Sequence, residues 1–406
     1  MTGTSRTDPL DSPYSWARLG LGLAAATIGN VGMWAIILIL PAVQADFGTG
    51  RGDASLPYTF TMIGFALGNL LIGRMVDRHG IAPVLVGAGL ASALGFAISA
   101  LAPSTLVLAA GQMLVGLGTA ATFGPLIADV SLWFRRRRGI AIGIAASGNY
   151  LAGAIWPLLL TGVLAEDGWR AVCWWLAVLT GLGMVPFALA LRRRLPAVFL
   201  APATQATVHR LDTPLSPRAL TALLALAGVA CCVAMSMPQV HLVAYCVDLG
   251  YGPAVGAEML SLMLMGGVVS RLVSGLIADR LGGVRTLMIG SGLQTLALIL
   301  YLPAEGMTSL YLVSLIFGLS QGGIVPAYAL IVRETLPAAE AGARVGTVIM
   351  ATILGMALGG WMSGAVYDWT GSYTLAFVNG IAWNLLNLGV MLGIFLSARP
   401  GRLRPA

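Results

Sequence analysis

Arg271 is the residue whose type and setting most demand a chemical explanation. It lies in the stretch GGVVSRLVSGLIADRLGG, residues 266–283, whose first half reads as a membrane-buried helix. Gly267 and Gly275 occupy the positions one turn to either side, so no acid stands beside it on its own helix. A charge at such a depth is costly and normally faces a bundle interior or a watery cavity. Gly267, Ser270, Ser274 and Gly275 form a small and polar stripe around it, while Leu262, Met263, Leu272 and Val273 suit lipid or packing. A guanidinium is permanently charged and offers a planar donor fork that matches a carboxylate. Arg271 is therefore the candidate for holding an anionic substrate group. The competing expectation is an arginine tied to backbone carbonyls or to an acid on another helix.

His241, Tyr245 and Asp248 are spaced i, i+4 and i+7 and so share a helix face, with Pro238 placed to kink the chain beneath them. His241 is a candidate for substrate contact, for an outer gate or for proton coupling; the alternative is a histidine satisfied by hydrogen bonds near the interface. Asp248 is a second proton-coupling candidate, although a repeat partner, Asp46, favours a structural role at a helix end. Polar residues also fall near mid-membrane: Asn30, Trp34, Asn69, Thr119, Thr122, Asn149, Tyr150, Gln321 and Tyr328. Of these, Asn69, Tyr150, Gln321 and Tyr328 are the further substrate-binding candidates; buried amides and hydroxyls otherwise bridge helices. Cys173, Cys231, Cys232 and Cys246 lie in apolar segments without ligand or disulfide spacing and read as small fillers. No metal or nucleophile–base constellation and no ATP-binding motif stands out. The expectation is a non-enzyme without cofactors, driven by gradients.

The elements that must position these residues follow from composition. Of 406 residues, 58% are hydrophobic and 10% charged, and the mean hydropathy is +0.87, which excludes a soluble globular chain and indicates a polytopic membrane protein in a lipid bilayer. Apolar periodicity places twelve spans at 17–43, 55–76, 81–102, 105–134, 139–164, 169–191, 219–247, 255–278, 284–303, 308–333, 343–366 and 373–397. The first is too long for a signal-peptide core. Every basic residue is Arg, and the net charge is +7. Nucleic acid is not the implied partner, because the arginines fall in short loops after alternate spans: Arg74, Arg78, Arg135–Arg138, Arg192–Arg194, Arg210, Arg218, Arg280, Arg285, Arg333 and Arg344, with Arg6, Arg18, Arg399, Arg402 and Arg404 at the ends. Only Arg51 and Arg170 fall opposite, so both termini are expected in the cytoplasm. The divisions are a tail at 1–16, six spans over 17–191, a cytoplasmic loop at 192–218, six spans over 219–397, and a tail at 398–406.

The two halves repeat. GRMVDRHG (73–80) returns as GLIADRLG (275–282), and the same offset carries Asp46 and Gly48 to Asp248 and Gly250, Gly64 to Gly266, Asn69 to Arg271, and Gly116 to Gly318. Duplicated membrane halves imply a carrier with a site between them. The doubled Gly-x-x-x-Asp-Arg-x-Gly after the second span of each half resembles the signature of the major facilitator superfamily. The resemblance implies an all-α fold of twelve helices in two pseudo-symmetric six-helix bundles that rock about a central cavity. It makes Asp77, Arg78, Asp279 and Arg280 gating residues, with Asp77 approaching a helix amino end near Gly342 and Asp279 one near Gly139, where exposed N–H groups favour a carboxylate.

Within that superfamily, GLGTAATFGPLIADVSLWFRRRRGIAIGIAASG from 116, HLVAYCVDLG from 241 and GLSQGGIVPAYALIVRE from 318 are similar to the monocarboxylate transporter and oxalate/formate exchanger branch. In those relatives an arginine in this span holds the substrate carboxylate. The chain departs from them in three places. Gly267 stands where animal monocarboxylate carriers have an acid, the first-span lysine has no counterpart, and the eleventh span lacks the oxalate exchanger's lysine. The implied function is secondary transport of a small organic monoanion of the lactate or pyruvate type, coupled to a proton, by a monomer in the cell (inner) membrane. A proton-driven efflux antiporter, an organic-anion exchanger and a non-transporting membrane sensor are the alternatives.

Overall fold

The computed structural model describes residues 9–195, 213–336 and 338–397. Arg6, Arg210, Arg399, Arg402 and Arg404 lie outside the described residues. Among the described residues eleven helices are long and apolar enough to cross a membrane. The longest, Arg138–Ala190, turns at Gly168 (φ 80, ψ 176), so it supplies two spans and the chain has the expected twelve. The second span runs Arg51–His79, the third Ile81–Ala100, the seventh Pro217–Asp248, the eighth Gly252–Leu281 and the ninth Gly283–Tyr301. The eleventh is Ala338–Thr370 and the twelfth Tyr373–Ser397. Each edge falls within a few residues of the hydropathy pattern, because length and polarity are set by the bilayer.

Three spans are broken where the pattern shows continuous apolar chain. The first divides at Asn30 into Pro13–Gly29 and Val31–Phe47. The Asn30 amide donates to the Ala26 carbonyl at 2.8 Å and reaches Thr122 Oγ1 at 3.3 Å, a side-chain competition with the helix ladder. The fourth passes through a 3₁₀ turn at Ala120–Thr122, which is the segment that Asn30 touches. The tenth divides between Met307–Gln321 and Ile324–Thr335, at Gly322 and Gly323.

The duplication is visible in the packing. A Cβ on Gly116 would fall 1.9 Å from the Thr61 carbonyl oxygen, and one on Gly318 2.0 Å from that of Met263. Positions 61 and 263 are themselves repeat partners, so spans two and four meet as spans eight and ten do. Gly80 and Gly282 end spans two and eight at φ 82 and 78, a conformation that favours glycine.

The halves meet tightly at the end of the molecule remote from the arginine loops. There the Thr59 hydroxyl donates to the Ala357 carbonyl at 3.0 Å, and the Ser261 hydroxyl to that of Ala154 at 2.5 Å. Among the described residues no hydrogen bond or ion pair joins the halves at the arginine-rich end, whereas those between them lie at the opposite end or at Arg271.

Candidate functional site

Arg271 is half-buried where the halves face each other. Its Nε donates to the Gly322 carbonyl at 3.3 Å and its Nη1 to the Ala146 carbonyl at 2.5 Å. Gly322 is the break of span ten in its own half; Ala146 belongs to span five of the other half. The guanidinium carbon lies 4.4 Å from the centroid of the Tyr150 ring, a cation–π distance. Among the described residues no carboxylate pairs with it. Its partners are carbonyl dipoles and a ring face, so the positive charge is positioned but not neutralised. The Tyr150 hydroxyl is the other polar group within reach of the guanidinium, which among the described residues meets no anion.

The glycines around Arg271 have definite work. A Cβ on Gly267 would sit 3.4 Å from two atoms of the Tyr150 ring, so a side chain there would lie in contact with the ring. Ser270 accepts from the Gly322 N–H at 3.1 Å. The small stripe thus seats the broken tenth span and, through it, the carbonyl that holds Arg271. The structure brings Tyr150, a candidate on span five, against Arg271 on span eight. One position earlier, Asn149 receives the Trp34 indole N–H on both its backbone and side-chain oxygens at 2.9 Å, anchoring span five to span one.

Gln321 is wholly buried and accepts from the Gln239 amide. Gln239 Oε1 and Gln321 Nε2 have no partner among the described residues. An uncommitted donor and acceptor next to Gly322 is what a polar substrate group or a water would satisfy. Gln239 was not singled out from sequence; its polarity beside Pro238 in an otherwise apolar span was the available signal.

The remaining candidates lie elsewhere. Tyr328 is fully buried, with its hydroxyl donating to Asn387 Oδ1 at 2.7 Å. Asn387 in turn donates to Ser291 Oγ at 2.9 Å, so this hydroxyl serves the packing of spans nine, ten and twelve. In this state it bridges helices. Asn69 donates to the Phe65 carbonyl at 2.8 Å on its own helix, and its Oδ1 faces Gly124 in span four.

His241 is likewise apart from Arg271. Its Nε2 lies 2.8 Å from the Gly360 carbonyl and its Nδ1 3.1 Å from the Tyr373 hydroxyl. The carbonyl can only accept, so Nε2 carries a proton and Nδ1 takes the tyrosine proton in the neutral ring. Tyr373 accepts in turn from Arg51 Nη1 at 2.6 Å. Arg51 comes from the first half and also clamps Asp248 with two bonds, of 3.1 and 3.0 Å. Asp368 accepts from the backbone N–H groups of Arg51 and Gly52 at 2.6 and 2.7 Å, capping the second span from across the interface. Asp248 is therefore half of a bond between the halves. Its repeat partner Asp46 pairs instead with Arg170 within the first half at 2.6 Å. Arg51, Asp368 and Tyr373 were missed as functional residues, although Arg51 was one of only two basic residues assigned to that face.

Asp77, Arg78, Asp279 and Arg280 are exposed at the open end. The glycines expected to receive the two acids, Gly342 and Gly139, have no neighbour at Cβ distance. Among the described residues neither acid forms an ion pair with the opposite half in this conformation.

A family model described as Major Facilitator Superfamily matches residues 22–360 and 248–405. Monocarboxylate transporter 13 of Bos taurus is 30% identical over 399 residues, covering 95% of this chain and 91% of that protein. Monocarboxylate transporter 11 of Homo sapiens is 30% identical over 381 residues, covering 91% and 80%. A crystal structure of a bacterial homolog to the human lysosomal transporter Spinster, inward-facing and occupied, superposes with a TM-score of 0.77 at 14% identity, covering 98% of this chain and all of that one.

Proposed function

The chain belongs to the major facilitator superfamily, and from that premise we propose that it carries small monocarboxylates across the cell membrane together with a proton. The observation that carries this reading is Arg271, a mid-span guanidinium between the halves, held by carbonyls of both and paired with no described acid. A carboxylate arriving from the cavity meets the free edge of Nη1, with Tyr150 beneath the fork and the two unsatisfied glutamine amide atoms near Gly322. The names of the similar transporters point to the same substrate class.

The arginine bias supports a cytoplasmic open end and cytoplasmic tails, on which reading this state is inward-open. Alternating access then requires the Arg51–Asp248 clamp to break and Asp77 and Asp279 to engage the opposite half. Binding energy is shared between the carbonyl of Ala146 and the anion, because both use Nη1; substrate occupancy thereby loosens the present contact between Arg271 and the first half.

One cation neutralises one carboxylate, and a second anionic charge left desolvated costs several kcal/mol. Monoanions are therefore preferred to dicarboxylates. Carrying a proton removes the opposition of a negative-inside potential, about 2.3 kcal/mol per charge per 100 mV. His241 is the coupling group we assign, since its hydrogen-bond chain runs through Tyr373 to the Arg51 clamp. The test is purified protein in liposomes loaded with a pH dye. Inward lactate flux with acidification of the liposome lumen supports proton-coupled carboxylate transport, and its loss in His241→Gln supports the histidine. Carboxylate flux of normal rate in folded Arg271→Gln would overturn the site.

A further inference from the structure

A cavity of about 540 Å³ opens on the arginine-rich face, away from Arg271, between the start of span one, the loop joining spans two and three, the end of span four and the end of span six. Arg18 lines it while being only 1% exposed. Its Nε and Nη2 are committed to Asp129 Oδ2 at 3.2 and 2.7 Å, and its Nη1 has no partner among the described residues. Arg138, Arg192, Arg193 and Arg194 also line the cavity. Arg138 donates to Ser131 Oγ at 3.3 Å, Arg194 to the His79 carbonyl, and Arg193 lies 4.8 Å over the Tyr14 ring. None of these four forms an ion pair among the described residues. Asp77 is the acid on the wall that Arg18 does not already match.

A buried donor without an acceptor and several uncompensated arginines about one concavity are each unfavourable. Topology-setting charge explains the presence of arginines on this face, but not an Arg18 buried beside the cavity with its Nη1 lacking an acceptor. One multivalent oxyanion relieves both, and guanidinium forks match phosphoryl oxygens in pairs. We propose that this cavity binds a phosphoryl group, either of an anionic phospholipid or of a small soluble phosphate compound, as a site separate from Arg271. Its walls come from the first six spans and the chain leaving them, so an occupant ties the amino end of span one to the ends of spans four and six.

The experiment uses the full chain in phosphatidylcholine nanodiscs. Melting is followed on titration with inorganic phosphate against chloride at equal ionic strength, and in discs containing phosphatidylglycerol. Stabilisation by phosphate identifies a soluble ligand; stabilisation by phosphatidylglycerol without phosphate identifies a lipid headgroup. In either case Arg192→Gln/Arg193→Gln weakens the effect about tenfold or more, while Arg271→Gln leaves it intact. Arg138→Gln serves as the second variant should the double substitution fail to fold. No stabilisation in either arm, or equal stabilisation of a folded cavity variant, overturns the proposal.

Discussion

Gly267 shows how a single position sets what Arg271 can do. Gly267→Asp would place a carboxylate one turn from the guanidinium, an internal counter-ion in helical register, and would crowd the Tyr150 ring. Affinity for a monocarboxylate should fall about ten- to hundredfold, equivalent to roughly 1.5–3 kcal/mol for a charged hydrogen bond; calorimetric titration reads this directly. Arg271→Lys should be nearly as defective as Arg271→Gln, because the ammonium keeps the charge but cannot span the Gly322 and Ala146 carbonyls while presenting a fork. Tyr150→Phe should retain binding and Tyr150→Leu should weaken it about two- to thirtyfold, the range of a cation–π contact worth about 0.5–2 kcal/mol. A larger loss in the Phe variant than in the Leu variant would assign the hydroxyl, not the ring, to the substrate. Much of this site was legible: an unpaired arginine among small residues announces itself by cost alone. The direction of Tyr328 was not, because a buried tyrosine looks the same in sequence whether its hydroxyl meets a cavity or Asn387. Nor could spacing reveal that Gly267 leaves room for a ring from the other half.

The helices themselves were legible to within a few residues, since hydropathy and turn glycines report bilayer crossing directly. The breaks in spans one, four and ten were not, because each arises from contact between spans: Asn30 bonds to Thr122, and Gly322 lies so close to the Gly267 carbonyl and the Arg271 backbone nitrogen that it has no room for a side chain. The offset between the halves proved the more informative signal, predicting Gly116 and Gly318 as partners before their equivalent helix crossings were known. These positions make a test at the scale of packing. Gly318→Ala forces a methyl against the Met263 carbonyl at 2.0 Å and should destabilise the second bundle by about 1–3 kcal/mol, seen as a lowered melting temperature in detergent. Gly275→Ala meets nothing within 4 Å and should leave melting unchanged. Equal effects of the two would mean that the crossing of spans eight and ten is not set by close approach at Gly318.

At the scale of the whole molecule, the two ends carry different kinds of latch. At the closed end, Asp248, Asp368 and Tyr373 of the second half all converge on Arg51 and the start of span two. At the open end, Asp77 and Asp279 stand in the last turns of spans two and eight, with no partner in the opposite half among the described residues. Removing one latch should therefore favour the conformation that the other latch closes. Asp248→Asn takes a charge-assisted pair from the present state only, with Arg51 7% and Asp248 28% exposed along their side chains. It should shift the inward-open to outward-open ratio toward outward by about ten- to hundredfold, for a cost of roughly 1.5–3 kcal/mol. Asp279→Asn, and Asp77→Asn with it, should leave this state untouched and destabilise the opposite one, biasing the protein further inward. Substrate affinity at Arg271 should change less than transport rate in all three, since none touches the site. Spin-label distances across each end of the molecule measure the populations. Asp248→Asn should lengthen distances at the Arg51 end and shorten those at the arginine-rich end, and Asp279→Asn should do the reverse. The double variant should fall between the singles, because the two losses enter one equilibrium with opposite sign. Shifts in the same direction would mean that at least one of the two acids acts on packing within its own half and not as a latch between the halves.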